Sequence, residues 1–222
     1  MKLYYDKDPA PNPRRVTIFL REKGIELPLQ QVSLIKAEHR APEYLAKNSL
    51  GQVPALELDD GTVICESVSI CRYLEELHPD PPLFGRSARE RALVDMWMRR
   101  TELKIMLPVG MVWVHAHPFT AAYAAARGRK QYTEFGEANV GECAAIFRWL
   151  DRELEGREFI VGDAYSMADI VALTTIDFAQ LIGIDVAPEN GCLRAWHTRV
   201  SARPSAAMDL TNVPVESFRR RT

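Results

Sequence analysis

Apolar residues in the first eighty positions switch between two spacings. Lys2-Leu3-Tyr4-Tyr5 is short and aromatic and predicts a first strand. Val16, Phe19 and Leu20 then share one face of a helix, with Asn12 placed as its cap, Pro13 in its first turn and Lys23-Gly24 at its end. Val32 and Leu34 alternate in a second strand, and Pro42-Glu43-Tyr44-Leu45 predicts a short helix. Asp60-Gly61, between apolar runs at 55–58 and 62–65, predicts a hairpin. A helix follows from Ser67, carries Ile70, Tyr73, Leu74 and Leu77 on one side, and stops at His78-Pro79.

This order, β-α-β-α-β-β-α, predicts an α/β thioredoxin-like N-terminal domain over residues 1–80. Beyond a Pro-rich linker that extends to residue 87, the spacing turns helical and predicts an all-α C-terminal helical bundle over 88–222. Ser87 and Glu90 form a capping box ahead of Leu93, Met96, Trp97 and Leu103, and Pro108 is expected to bend or break that helix. A second long helix carries Phe135, Cys143, Ile146, Phe147, Leu150 and Leu154. Ser166 and Asp169 cap a third helix, stapled by Tyr165 and Ile170; it has little polar face and is expected at the centre of the domain. Leu193, Trp196 and Val200 mark a last amphipathic helix.

Composition narrows the class of protein. In 222 residues, 47% hydrophobic and 26% charged composition is that of a soluble globular chain, and a net charge of -2 gives no reason to expect nucleic acid or an acidic membrane as partner. No stretch approaches a membrane span, and the N-terminus lacks a signal-peptide core, so a cytoplasmic location is expected. Cys65, Cys71, Cys143 and Cys192 are scattered without a C-x-x-C, which argues against a structural disulfide or zinc site. His115 and His117 could suggest a metal, but no carboxylate or thiol close in sequence completes a set, and no metal is expected.

Candidate chemistry gathers at two turns. Pro54 precedes a strand to which it cannot donate; a cis bond there would present the N–H and C=O of Val53 at the strand's edge. Glu66-Ser67 opens a helix: a carboxylate suits a primary ammonium, and a hydroxyl with free N–H groups suits an α-carboxylate. Together they surround one small polar ligand.

Gln52-Val53-Pro54, Glu66-Ser67, the Ser166–Asp169 box and the run Glu38-His39-Arg40-Ala41-Pro42-Glu43-Tyr44-Leu45 resemble the cytosolic glutathione transferases over the whole chain, most like bacterial members related to the fungal and theta types. The resemblance implies that Val53 and Pro54 pair with the cysteinyl backbone of glutathione and that Glu66 and Ser67 hold its γ-glutamyl end. It places His39, with Lys36 and Gln52, near the glycyl carboxylate. It also implies glutathione as co-substrate, with the thiolate attacking a hydrophobic electrophile and hydroperoxide reduction as a side activity. A two-fold homodimer is implied too, with Arg72, Glu76 and Met96 near its interface. The apolar wall for the electrophile is expected at Met106, Val109, Trp113 and His117.

One departure bears on catalysis. The family's hydroxyl positions at the start of the first helix hold Asp8 and Ala10, and no cysteine lies there. A thiol with a pKa near 8.5 is only about 3% thiolate at pH 7. Lowering that pKa by about two units needs roughly 2.7 kcal/mol, within reach of one good donor at a helix N-terminus. Asn12 is one candidate donor and Tyr5 the other, with a backbone N–H or water also open. Two alternatives therefore stand: a non-catalytic glutathione-binding or regulatory protein of the same fold, and a glutathione-dependent isomerase or dehalogenase.

Overall fold

The computed structural model of the chain describes residues 1–7, 9–210 and 215–219. Four short strands, β1 (Lys2–Tyr5), β2 (Leu29–Gln31), β3 (Ala55–Glu57) and β4 (Val63–Cys65), form one sheet in the order β2-β1-β3-β4. β1 runs parallel to β2 and antiparallel to β3, and the hairpin pairs β3 with β4. Period-two alternation sorts the side chains. Leu3 lies opposite Leu56 and joins the main core with α1 (Pro11–Lys23) and α3 (Ser67–Leu77). Tyr4 and Ala55 point the other way, into a smaller cluster with Val32, Val53 and Tyr44 of α2 (Pro42–Leu45).

Two expectations about element ends are corrected. The second strand lies three residues earlier than Val32 and Leu34: the Val32 N–H closes the ladder on the Tyr5 carbonyl at 2.7 Å, and that of Leu34 turns to the Asp6 carboxylate at 2.8 Å. All three residues of β2 are exposed at the sheet's edge, so alternation carried no signal there. Asn12 is not the cap of α1. The helix begins at Pro11, with Ala10 as N-cap and no side-chain cap. Pro11 and Pro13 have no N–H, which removes two of the orphan donors that a cap would serve.

The helical part comprises α4 (Ala88–Thr101), α5 (Leu107–His115), α6 (Pro118–Ala125), α7 (Thr133–Glu153), α8 (Met167–Leu181), α9 (Gly191–Ser201) and the short α10 (Val215–Phe218). Glu102–Met106 joins α4 to α5 as a π-type stretch. Pro108 accounts for the widening: it removes one N–H and its ring excludes the carbonyl four residues back. Ser87–Glu90 and Ser166–Asp169 both close reciprocal capping boxes. Asp169, fully buried, accepts from the Ser166 N–H and hydroxyl, the Ile160 N–H and the Trp196 indole. It thereby locks the start of α8, whose apolar length runs through the core against α1, α4 and α9. No described helix is long and apolar enough to cross a membrane.

Candidate active site

α2 and the loop after it build the first turn. The Tyr44 hydroxyl donates to the Gln52 carbonyl at 2.6 Å and the Asn48 amide donates to the same oxygen at 2.9 Å. That carbonyl is thus pinned from two sides, next to the cis Val53–Pro54 bond. Val53 is buried as a side chain, while no backbone hydrogen bond among the described residues involves its N–H or C=O. The turn presents one donor and one acceptor, as an extended peptide requires.

Ala55 pairs with Cys65 across the hairpin, which brings the second turn alongside the first. Glu66 is the N-cap of α3, at φ 69 and ψ 120, with no side-chain cap bond. A left-handed φ on a residue with a Cβ costs of order 1–3 kcal/mol and collects at functional positions. Its carboxylate is exposed, whereas Ser67 beside it is buried. Beneath Ser67 lies Arg15 of α1, only 3% exposed. Its guanidinium reaches the Ser67 hydroxyl at 3.5 Å, the Glu102 carboxylate at 3.2 Å, and the hydroxyls of Thr174 and Thr175 at 3.4 and 3.3 Å. Burial pushes the Arg15 pKa down and Glu102 opposes this; a guanidinium keeps its charge all the same. Carboxylate, hydroxyl, uncapped helix start and buried cation together match the ammonium and carboxylate of one amino-acid end.

The remaining predicted residues fall into groups. Lys36 and the Gln52 side chain are exposed on the approach to the Val53 turn. His39 is buried in a 3-10 turn, Glu38–Arg40, and meets Tyr123 of α6 at 3.4 Å. The Asn12 side chain is half-buried at the start of α1 and makes no hydrogen bond among the described residues, while Asp8 lies outside them. Tyr5 lines a cleft of about 460 Å³ with Thr17, Leu20 and Ile25, and that cleft's lining includes neither the Val53 nor the Glu66 turn.

On the helical side, Met106 and Trp113 are half-buried. Val109 and His117 are fully buried behind them. The His117 Nδ1 accepts from the Phe119 N–H at 3.2 Å as the cap of α6, and its Nε2 lies 2.6 Å from the Phe218 carbonyl. Trp113 centres an aromatic cluster with His117, Phe119, Phe178 and Phe218. No group of three or more His, Cys, Asp or Glu side chains poised to hold a metal ion occurs among the described residues.

The family model for the glutathione S-transferase N-terminal domain matches residues 10–77, and that for the C-terminal domain matches residues 114–204. The chain is 36% identical over 205 residues to glutathione S-transferase 2 of Saccharomyces cerevisiae, covering 91% of this chain and 87% of that protein. The chain belongs to the glutathione S-transferase family. Its backbone follows that of Gtt2 from Saccharomyces cerevisiae with a TM-score of 0.85 at 36% identity, over 93% of this chain and 98% of the other. A glutathione S-transferase of class Gtt2 from Vibrio parahaemolyticus aligns at 0.78 and 30% identity, over 98% of each chain. As a glutathione S-transferase, the protein is an enzyme that uses glutathione as co-substrate.

Arg15, Glu102, Thr174 and Thr175 were not foreseen as site residues. A signal existed: Arg15 directly precedes the apolar run of the first helix, and Thr174-Thr175 interrupts the apolar stretch between Asp169 and Asp177. Tyr44 lies in the predicted short helix, and its hold on Gln52, shared with Asn48, depends on a turn that periodicity does not show.

Proposed function

We propose that this glutathione transferase joins the glutathione sulfur to a hydrophobic electrophile lying between the Val53 turn and the Met106–Trp113 side of the helical domain. The γ-glutamyl ammonium is held by Glu66, and its carboxylate by Ser67 and the N–H groups of α3 with Arg15 behind them. The cysteinyl backbone pairs with Val53, which aims the sulfur toward the start of α1. The thiol loses its proton, and the sulfur lone pair forms an S–C bond. Either a leaving group departs, or the electrons move onto a conjugated acceptor that then takes a proton. Orientation of two bound substrates contributes much of the rate. Organic hydroperoxides, whose O–O bond a thiolate cleaves, are a second substrate class of the same site.

The observation that carries this reading is the meeting of an unpaired Val53 edge with the Glu66–Ser67–Arg15 end. Glu66→Ala is expected to weaken glutathione binding by roughly 1.5–3 kcal/mol in calorimetric titration. Unchanged affinity in a folded variant would reject the assignment. The lack of a hydroxyl at Ala10 favours a second reading, a glutathione-binding regulator without turnover; an electrophile panel on the wild type separates the two. The enzyme is proposed to act in the cytoplasm as a two-fold homodimer, with Arg72, Glu76 and Met96 near the interface. Sedimentation at micromolar concentration should then give twice the chain mass of 25.1 kDa.

A further inference from the structure

The cleft lined by Tyr5 lies between α1 and the edge of the sheet. Leu3 and Tyr5 alternate with Tyr4 and share the face that α1 covers, and Leu29 of the edge strand β2 is in register with Leu3. Leu29 therefore points to the α1 side, yet it is 50% exposed. The reason is where α1 stops. Gly24 ends the helix in the left-handed region at φ 63, and the Ile25 N–H returns to the Leu20 carbonyl at 2.9 Å. The chain then turns back to β2 through Leu27, and Leu20, Ile25, Leu27, Leu29 and the Tyr5 ring are left around a hollow of about 460 Å³.

Four charged side chains stand on the rim of this hollow. Lys7 and Asp209 pair at 3.1 Å. Arg21 gives one nitrogen, Nη1, to the Ser205 and Ala207 carbonyls at 3.0 and 2.8 Å. That fixes the guanidinium and leaves its Nε and Nη2 without a partner among the described residues. Glu26 is exposed and forms no ion pair among them. Arg21 and Glu26 thus line one cleft with opposite charges and stay beyond ion-pair reach of each other.

A separated cation and anion over an apolar hollow suit a ligand with a charge at each end and apolar groups between them. A fatty acid would set its carboxylate against Glu26 as well as Arg21, and an apolar amine would do the reverse. The volume leaves room for two apolar side chains rather than one. We propose that this cleft is a second binding site, apart from the Val53 and Glu66 turns, for a short apolar peptide with free ends. Its carboxylate meets Arg21, its ammonium meets Glu26, and its side chains pack on Leu20 and Leu29. Asp209 and the carbonyls that hold Arg21 belong to the segment after α9, so a bound peptide braces the sheet against the helical domain.

The test is calorimetric titration of the full chain with leucyl-leucine, its N-acetyl derivative and its C-terminal amide, each with and without S-hexylglutathione to fill the glutathione site. The free dipeptide is expected to bind more tightly than either capped form, and equally with S-hexylglutathione present. Glu26→Gln should weaken the free dipeptide about two- to fivefold, the range for an exposed ion pair, and leave the N-acetyl form unchanged. Arg21→Gln should act in the same way on the preference over the amide. Leu29→Gln should weaken all three ligands about tenfold through lost apolar contact. Glu26 and Leu29 are exposed, so both variants are expected to fold as wild type does, which circular dichroism checks. The site is refuted if the dipeptide does not bind, if S-hexylglutathione displaces it, or if Glu26→Gln or Leu29→Gln keeps wild-type affinity. None of these outcomes bears on the reading of the Val53 and Glu66 turns, which the Glu66→Ala titration tests separately.

Discussion

Two prolines in the first turn of α1 decide what Asn12 is free to do. With Pro11 and Pro13 removing N–H groups that a cap would serve, the Asn12 amide is uncommitted at a helix end that favours negative charge. Asn12→Ala should therefore leave stability within about 0.5 kcal/mol, since no cap is lost and alanine suits a helix. A hydrogen bond to the ionised thiolate contributes roughly 1.5–3 kcal/mol, so the pKa of the bound thiol should rise by about one to two units. The acidic limb of the pH–rate profile then moves to higher pH, while glutathione affinity holds. An unmoved limb would exclude Asn12 and leave a backbone N–H, water or Tyr5, which lines a different cleft. Asn12 also marks a limit of sequence reading: asparagine before proline looks like a cap, and only the preceding Pro11 at N1 shows that the helix has already begun. Glu66 is similar. Its place at the head of α3 was legible from Ser67, but a left-handed φ on glutamate has no residue signature of the kind glycine gives.

Elements with a buried face were legible, and those without one were not. α3 was expected with the bounds it has and α8 with the start it has, because each turns apolar residues to the core. β2 was displaced because all its residues are exposed, and α6 went unseen as a helix because none of its residues is buried. α5 lies between these cases. Pro108 announced a disturbance, and the widened Glu102–Met106 stretch turns Glu102 to Arg15 and leaves Met106 and Trp113 half-exposed. Trp113 has two roles that one variant can separate. Its ring packs 5.4 Å from Phe178 and 5.8 Å from Phe218, so Trp113→Ala should cost about 2–4 kcal/mol of stability by urea unfolding, less than a fully buried tryptophan at the upper end. If it also walls the electrophile, the Michaelis constant for that substrate should rise more than that for glutathione. Equal rises would confine Trp113 to packing.

At the scale of the whole molecule, α1 is the joint between the two domains, and its charges make the joint as much as its apolar face does. Arg14, 3% exposed, pairs with Asp177 of α8 at 2.5 Å, and Asp177 lies 2.6 Å from the His197 ring of α9. Glu22 takes both arms of Arg203 and the Ser205 hydroxyl, and Lys23 pairs with Glu75 and donates to the His78 and Pro81 carbonyls of the linker. None of this was legible, because a charged residue in an amphipathic helix reads as solvent-facing until its partner, about 50 to 180 positions away, is known. The joint should show itself in acid. Burial alone would raise the Asp177 carboxyl, but the His197 hydrogen bond and the Arg14 guanidinium outweigh it and hold the pKa below the ordinary carboxylate range. Glu22 is held down in the same way, against its burial, by Arg203 and Ser205. A carboxyl whose pKa is lower folded than unfolded stabilises fully above the unfolded value, about 4, and loses that contribution as pH falls through the folded value. Stability should thus be flat in these two groups near neutrality and drop below about pH 4. Asp177→Asn removes one charged partner of the buried Arg14 and should cost up to about 3 kcal/mol at pH 7. Urea midpoints measured from pH 7 to 2.5 should converge between the variant and wild type as Asp177 protonates. Curves that stay parallel through that range would mean that the ion pairs of α1 do not hold the domains together.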